Sequence, residues 1–340
     1  MTSVQSNIGS TIGSPIGSTA GAQLPVARVS VCVCVITYLR PEGLERLLRS
    51  VGRLELDDVP AGLSVVVIDN DEAGSARAVV ERWAATAPWP VHYDIEPARG
   101  IPMARNRALR TALTAAAEPP DFVVWMDDDE EADPQWLRHA LATQAETGAD
   151  VVMGPGIPAF EAGVPDWVRT SGLLEGERFV TGRPYPYFHS RTSGILVRTS
   201  VLPAEGFDER MALCGGSDRV FFTRIQRAGG RFVWDDRARM VDHVPASRAR
   251  LPWLLRRWYR TGVTRSLTLL YLDAPGPLRR ARRVAGGMAL AGRGAVLAVA
   301  AIPKGRVAML RRVRIVMLGI GAAVGALGVQ YHEYRVVHGR

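Results

Sequence analysis

Three consecutive carboxylates, Asp127, Asp128 and Asp129, directly follow an apolar run at residues 122–126. A run of about five apolar residues between polar ones is typical of a buried strand. The carboxylates are therefore expected at the C-terminal edge of a sheet, where open α/β folds bind ligands. They repel one another unless a cation lies among them, and divalent cations such as Mg²⁺ prefer oxygen ligands. The triplet predicts a metal site, although an acidic loop before a helix is the alternative.

Other polar side chains follow the first two predicted strands at the same sheet edge. Thr37 comes after the first strand, and Asp69 and Asn70 come after the second. Such side chains can hydrogen-bond a base and a ribose, but they would also suit ordinary turns. Arg105 lies near the start of a predicted helix, where the helix N-terminus and the guanidinium both favour phosphate. A surface helix with ordinary arginines is the alternative.

Asp218 and His243 are two further candidates for chemistry. Asp218 follows Gly215, Gly216 and Ser217 at the start of a predicted helix. The glycines permit a close approach, so Asp218 could be a general base in a cleft; a carboxylate that stabilises the helix N-terminus is the alternative. His243 could bind a metal or a phosphate, but a single histidine is more often a partly buried side chain.

The elements that must position these residues alternate along the chain. Strands are predicted at residues 29–36, 63–68, 91–95, 122–126, 151–153, 193–198 and 231–235, and helices at residues 42–51, 75–85, 102–117, 133–148 and 218–229. This alternation predicts an α/β fold with a mainly parallel sheet and helices on both faces. Residues 154–186, rich in Gly, Pro and aromatic side chains, predict an irregular functional loop.

Charge divides the chain into two regions. The whole chain has 42 basic and 34 acidic residues, a net charge of +8. Residues 248–340 contain 18 basic and two acidic residues, which leaves residues 1–247 net acidic. The acidic region suits a metal site and the basic region an anionic surface. We predict a disordered Ser/Gly/Thr-rich tail at 1–27, an α/β domain at 28–250 and a basic, apolar helical region at 251–340.

The chain has three cysteines, too few for a disulfide framework, and this favours a reducing compartment. Cys32 and Cys34 alternate in the first predicted strand and are expected to be buried core thiols on one face. The N-terminal residues lack the pattern of a signal peptide.

Two apolar stretches, at residues 284–302 and 315–329, follow clustered arginines. A membrane-spanning helix needs about 20 apolar residues. The first stretch contains Arg293 and the second is short, so we expect helices that lie in or dip into an anionic membrane surface. Two packed helices of a soluble subdomain or dimer interface, helped by Gly321 and Gly325, are the alternative. No nucleic-acid partner is expected, because the basic segments accompany long apolar stretches.

The ordered motifs together resemble family 2 glycosyltransferases of the GT-A fold. They are Thr37-Tyr38, Asp69-Asn70-Asp71, Ala104-Arg105-Asn106, Asp127-Asp128-Asp129 and Gly215-Gly216-Ser217-Asp218. The likeness covers residues 28–261 and is strongest to the branch of succinoglycan and other exopolysaccharide glucosyltransferases. It implies a Rossmann-like GT-A catalytic domain at 28–250, a nucleotide-sugar donor, Mn²⁺ or Mg²⁺, and inversion at the anomeric carbon.

The resemblance also implies which residues bind the donor, expected to be a UDP-sugar. Asp69 and Asn70 fall at the uracil-recognition position, and Asp127 falls nearest the ribose. Thr37 and Arg105 complete the expected donor-binding set.

For the metal and the reaction, the resemblance implies that Asp129 is the main metal ligand, with Asp127 and His243 as further ligands. Asp218 falls at the position of the catalytic base. Ser217 stands where the family commonly has Glu, so one supporting carboxylate is missing there. The implied acceptor is a glycan carried on polyprenyl diphosphate, which would place the enzyme at the cytoplasmic face of the inner membrane as a peripheral or monotopic protein.

Three other functions are compatible with parts of the pattern. A sugar-phosphate nucleotidyltransferase also uses a nucleotide-binding sheet and aspartates, but it needs a Gly-rich loop after the first strand, and residues 37–42 contain no glycine. A phosphatase with Asp127 as nucleophile would carry that residue near its first strand. A catalytically inactive membrane-bound scaffold with a GT-A fold is the non-enzymatic alternative, against which Asp218 argues.

Overall fold

The protein contains a large central sheet and a small second sheet. A computed structural model describes residues 28–331 except residues 58 and 213, so the predicted tail and the last nine residues lie outside the described residues. The strands are β1 (Val29–Thr37), β2 (Ala61–Asp69), β3 (Val91–Ile95), β4 (Phe122–Asp127), β5 (Glu130–Ala132), β6 (Val151–Met153), β7 (Gly156–Phe160), β8 (Ile195–Arg198), β9 (Phe232–Trp234) and β10 (Met240–Val244).

Helices cover both faces of the central sheet. The helices of the chain are α1 (Pro41–Val51), α2 (Arg77–Ala84), α3 (Ile101–Thr114), α4 (Trp136–Thr147), α5 (Asp166–Arg169), α6 (Ser217–Arg227), and α7 (Leu251–Asp273), α8 (Pro277–Ala300) and α9 (Arg306–Ala326) of the C-terminal region. Leu44 of α1 and Leu137 of α4 belong to the core on one face, and Ala108 of α3 and Phe221 of α6 belong to the core on the other. The predicted elements before residue 154 are all present, with ends within three residues.

The central sheet has the order β3-β2-β1-β4-β8-β6-β9. Its described pairs are parallel except those of β8, which is antiparallel to β4 and β6. The predicted mainly parallel sheet is thus confirmed. Cys32 and Cys34 are buried in one core, as expected from their alternation in β1.

The register of the parallel strands brings the candidate residues to one edge. Thr37, the last residue of β1, is opposite Asp69 of β2, and Ile36 is opposite Asp127 of β4. The carboxyl ends of adjacent parallel strands therefore meet, as they do at the ligand-binding edge of open α/β sheets. This edge therefore places Asp127 beside Thr37 and Asp69, two of the residues predicted to bind the nucleotide.

The second sheet was not predicted from the sequence. Its order is β5-β10-β7, with β5 antiparallel and β7 parallel to β10. Residues 154–186, predicted to be irregular, contain β7 and the short helix α5, so that prediction was wrong in part. Strands of three to five residues carry little periodicity, and pairing between distant segments stabilises them here. The register places Asp242 opposite Glu130, immediately after the triplet.

The C-terminal region is a stack of three long helices. Helix α9 packs against both α7 and α8. The packing uses glycine: a Cβ at Gly321 would overlap the carbonyl oxygen of Tyr259 on α7, and one at Gly319 would meet Ala291 N of α8 at 2.5 Å. Glycines let helix backbones approach closely, because no side chain separates them.

Helix α8 is the outer layer of this stack and exposes a largely apolar surface. Exposed apolar side chains on or next to it are Leu278, Met288, Leu290, Val296, Val299 and Ile302. Among the described helices, α8 is the one whose length and composition would suffice to cross a membrane. The first predicted apolar stretch therefore corresponds to an exposed helix, and the second corresponds to the buried middle helix, α9.

Candidate active site

A cleft of about 650 Å³ opens between the carboxyl edge of the central sheet and helices α7 and α9. Its walls contain Thr37, Asn70, Arg105, the Asp127–Asp129 triplet, Asp218 and His243. The structure thus brings together every predicted site residue except Asp69, which lies behind the cleft wall. The lining also includes Glu130, Arg40 and Arg248, which sequence reasoning did not select.

Asp127, at the end of β4, faces Arg105 of α3. Nη2 of Arg105 donates hydrogen bonds of 2.9 and 3.2 Å to the two carboxylate oxygens. Arg105 is buried, and its guanidinium lies over the ring of Phe207 at 5.6 Å. Burial raises the pKa of Asp127, although Arg105 opposes this shift, and the nearby charges of Asp129 and Asp218 raise it further. The carboxylate is held in place and surrounded by negative charge, as a cation-binding group would be.

Asp128 is buried and joins the end of β4 to the start of α1. Its carboxylate accepts hydrogen bonds from Oγ1 of Thr37 at 2.9 Å, Nη1 of Arg40 at 2.8 Å and the backbone N–H of Tyr38 at 3.4 Å. Burial raises the pKa of Asp128 to about 6, with Arg40 opposing that shift and Asp129 adding to it. The middle carboxylate of the triplet is a structural anchor, and Thr37 is its partner.

The side chain of Asp129 lines the cleft and pairs with arginines. Arg248, which lies just before α7, donates to its carboxylate, and Nη1 of Arg40 is 3.5 Å away. Burial alone would raise the pKa of Asp129, but these two guanidiniums outweigh it, and the pKa falls below the usual value. Asp129 therefore stays ionised at neutral pH.

Glu130 is the carboxylate that sequence reasoning missed. One oxygen each of Asp127, Asp129 and Glu130 lies within 4.8 Å of the others, which is a spacing that could hold a metal ion. Burial raises the pKa of Glu130 well above its usual value, and the charges of Asp242 and Asp127 add to this. Asp242 pairs with Arg191 at 2.8 Å, while its Oδ1 is buried without a hydrogen-bond partner among the described residues. This set of crowded oxygen donors fits a hard divalent cation.

His243 lines the cleft but does not belong to the three-carboxylate cluster. Its Nε2 lies 2.6 Å from Oε1 of Glu131, and its backbone N–H donates to the carbonyl of Asp129 at 2.9 Å. Both contacts hold β5 against β10, directly behind the triplet. The predicted role of His243 as a metal ligand stays a prediction, and its observed contacts position the chain that carries Asp129.

Asp69 and Asn70 organise the loops at the nucleotide end of the edge. The carboxylate of Asp69 is fully buried and accepts hydrogen bonds from Ala76 N at 2.7 Å and Tyr93 Oη at 3.1 Å. The Asn70 amide donates to the carbonyl of Ala98 at 2.9 Å and accepts from Gly100 N at 2.9 Å. Asn70 reaches the cleft, whereas Asp69 supports it from behind.

Asp218 stands across the cleft at the start of α6. Gly215 and Gly216 before it have φ values of 72° and 88°, the left-handed region that favours glycine. A Cβ at Gly216 would lie 2.7 Å from Thr264 Cβ, so this turn must pack directly against α7. Asp218 is partly exposed to the cleft and accepts a hydrogen bond from Arg219 N at 2.8 Å. Asp218 thus lines the same cleft as the acidic cluster, and its charge acts on Asp127.

Comparison with known proteins decides the family. Residues 32–201 match the sequence model of glycosyl transferase family 2. The chain belongs to this family. It is 32% identical over 314 residues to the succinoglycan biosynthesis protein ExoM of Rhizobium meliloti (strain 1021), a match that covers 91% of this chain and 97% of that protein. The predicted resemblance to the exopolysaccharide branch of family 2 is confirmed.

Solved structures share the fold of this family 2 glycosyltransferase. The mannosyltransferase PcManGT from Pyrobaculum calidifontis, in complex with GDP-Man and Mn²⁺, matches with a TM-score of 0.59 and 21% identity, over 89% of this chain and 88% of that one. Residues 1–349 of S. aureus TarS, in complex with UDP-GlcNAc, match with a TM-score of 0.50 and 19% identity, over 72% and 68%. The predicted GT-A fold is confirmed.

Proposed function

We propose that this family 2 glycosyltransferase moves a sugar from a nucleotide-diphosphate donor, most simply a UDP-sugar, to a glycan in cell-surface polysaccharide synthesis. The observation that carries the proposal is the single cleft in which the Asp127, Asp129 and Glu130 cluster faces Asp218. Two structural neighbours are complexes with nucleotide sugars, and the relative ExoM is a succinoglycan biosynthesis protein. These relatives support the donor class and the pathway class.

Asp127, Asp129 and Glu130 would hold Mn²⁺ or Mg²⁺, with Asp129 as the most readily ionised ligand. When bound, the cation supplies positive charge beside a departing diphosphate. Arg248 and Arg40, which pair with Asp129, also lie where they can contact an anionic group in the cleft. Asn70 and Arg105 border the nucleotide end. Asp69 holds the loop behind them through Ala76, and Thr37 holds Asp128.

Asp218 would act as the base. Its carboxylate takes the proton from an acceptor hydroxyl, and that oxygen attacks the anomeric carbon from the face opposite the diphosphate. The bond from the anomeric carbon to the phosphate oxygen breaks, and the nucleoside diphosphate leaves with the electron pair. A single displacement inverts the centre, and no carboxylate nucleophile is needed, unlike in retaining glycosidases.

Two substitutions test these roles. Asp218→Asn should retain donor binding in calorimetry but lose sugar transfer, because the amide cannot accept the proton. Asp129→Ala should lose Mn²⁺-dependent binding of the nucleotide sugar. Transfer at the wild-type rate by Asp218→Asn would exclude this residue as base, and full turnover by Asp129→Ala would exclude the metal assignment. A wild-type chain with donor binding but no transfer to any glycan would favour an inactive scaffold.

Membrane attachment through α8 completes the proposal, with a polyprenyl-linked glycan as acceptor at the cytoplasmic face. The helix carries exposed apolar side chains, such as Val296, together with exposed arginines, such as Arg279 and Arg293. This combination suits a helix that lies in the interface of an anionic bilayer.

A charge placed on this surface tests the attachment. Val296→Glu combined with Val299→Glu should release the chain from anionic vesicles in a flotation assay, because two carboxylates would enter the apolar layer. Val180→Glu is a matched control, since Val180 and Val296 are 69% and 70% exposed and Val180 lies outside the C-terminal helices. Unchanged flotation of the double variant would show that the attachment site lies elsewhere.

A further inference from the structure

Three arginines from three different helices line the part of the cleft that adjoins Asp218. Arg219 belongs to α6, Arg265 to α7 and Arg314 to α9. Arg219 directly follows Asp218 in the chain. The three side chains converge because α7 packs against α6 and α9 packs against α7, so they form a site that the fold assembles.

The carboxylate of Asp218 adjoins Arg219, and the other described residues provide little negative charge for this triad. Nη2 of Arg219 donates to the carbonyl of Phe188 at 2.9 Å, and Nε of Arg265 is buried without a hydrogen-bond partner in the described part of the chain. Burial lowers the pKa of Arg265, and the like charges of Arg219 and Arg314 lower it further.

Acidic residues near the triad have other neighbours or lie at its margin. Glu177 lies 3.6 Å from Nε2 of His189, with its side chain 65% exposed, and Glu175 also borders the cleft. Among the described residues, neither forms an ion pair with Arg265 or Arg314. The charge of Asp218 acts on Arg219, but Arg265 and Arg314 have no carboxylate ion-pair partner among the described residues. The clustered guanidiniums repel one another, and an anion among them would relieve that repulsion.

We propose that Arg219, Arg265 and Arg314 form a second anion subsite, which binds the phosphate groups of a lipid-linked diphosphate acceptor. The inference rests on the proposed function, since it assigns the acceptor end of the same cleft. Guanidinium groups suit this ligand because their planar N–H donors match phosphate oxygens and stay charged.

The placement of the triad favours the acceptor over the donor. A cation held by Asp127, Asp129 and Glu130 would neutralise the donor diphosphate, whereas the triad adjoins the proposed base. Leu318, one turn beyond Arg314 on α9, and the exposed ring of Phe188 provide apolar surface beside the arginines. A lipid chain attached to the diphosphate would find that surface next to its phosphates.

The experiment uses the full chain loaded with UDP at a fixed free Mn²⁺ concentration, titrated calorimetrically with farnesyl diphosphate. The wild type should bind it, and Arg314→Gln should weaken binding by roughly tenfold, the effect of one charged hydrogen bond. Arg265→Gln combined with Arg314→Gln should weaken it by roughly a hundredfold. Arg312→Gln is the matched control, because Arg312 is exposed on the same helix outside the cleft lining. Affinity for UDP should stay the same in all variants.

The outcomes separate this inference from the proposed function. Two results would overturn the inference alone. One is a wild type that binds UDP but does not bind farnesyl diphosphate, and the other is an equal affinity for farnesyl diphosphate in the wild type and Arg314→Gln. Failure to bind UDP would overturn the proposed donor instead. Arg314 is exposed, so its variant keeps the test valid if the change at Arg265 prevents folding. Vesicles of phosphatidylglycerol form the last arm. If the Arg265→Gln, Arg314→Gln variant binds these vesicles as the wild type does, the result supports an acceptor phosphate. If it loses vesicle binding together with farnesyl diphosphate binding, the triad belongs to lipid headgroups.

Discussion

Replacing Asp128 by alanine should destabilise the fold without removing the metal site. The substitution removes a 2.8 Å hydrogen bond from Arg40 and a 2.9 Å hydrogen bond from Thr37. The side chains of Asp128 and Arg40 are only 7% and 17% exposed, so solvent screens this pair weakly. Each hydrogen bond to a charged group contributes about 1.5–3 kcal/mol. Because Arg40 retains Asp129 at 3.5 Å, we expect a total loss of about 2–4 kcal/mol.

Urea unfolding of three variants measures this effect. Asp128→Asn keeps an acceptor oxygen, so its free energy of unfolding should fall by about half as much as that of Asp128→Ala. Asp129→Ala should cost about 1 kcal/mol or less, because its arginine pair opens to the cleft, yet it should lose Mn²⁺-dependent UDP binding in calorimetry. If Asp128→Ala unfolds with the wild-type free energy and loses Mn²⁺-dependent UDP binding, the division of roles within the triplet is wrong.

Two further predictions concern stability. Gly321→Ala should destabilise the chain by about 1–3 kcal/mol in urea unfolding, because its Cβ would overlap the backbone of Tyr259. Gly292→Ala, on the open surface of α8, should stabilise the chain by up to about 1 kcal/mol. Equal effects of the two substitutions would contradict the close packing of α7 and α9. Hydrogen bonds from Arg210 lower the pKa of buried Asp208. The contribution of this carboxylate to stability is therefore fully present above its unfolded pKa of about 3.9, and it is lost as the pH falls through the lower pKa of the folded state. Asp208→Asn should therefore be less stable at pH 7, with a difference that narrows below about pH 4, and a gap that widens on acidification would refute this.

Local pattern was enough to predict the central sheet and its acidic edge. The apolar run of β4 and the polar residues that follow β1 and β2 are short-range signals, and parallel alternation determines that their carboxyl ends meet. The ordered motifs predicted the family correctly for the same reason, since each follows one strand or begins one helix.

Contacts between distant segments decided the remaining features. Glu130 becomes part of the acidic cluster because β5 pairs with β10, whose His243 contacts Glu131 from 112 residues away. Strands this short have no periodicity to detect, so their existence depends on the partner. Arg248 reaches Asp129 across 119 residues, and nothing near either residue predicts that pairing.

The sequence by itself determined the α/β class, the acidic character of the sheet edge and the family, because hydrophobic periodicity and short motifs are properties of neighbouring residues. The tertiary structure alone decided which carboxylates face the cleft, and it made the middle aspartate an anchor. It also placed α9 at the centre of the C-terminal stack and brought arginines of three helices beside Asp218. Those outcomes depend on how distant surfaces pack, and a chain's local pattern does not encode the distance between its remote parts.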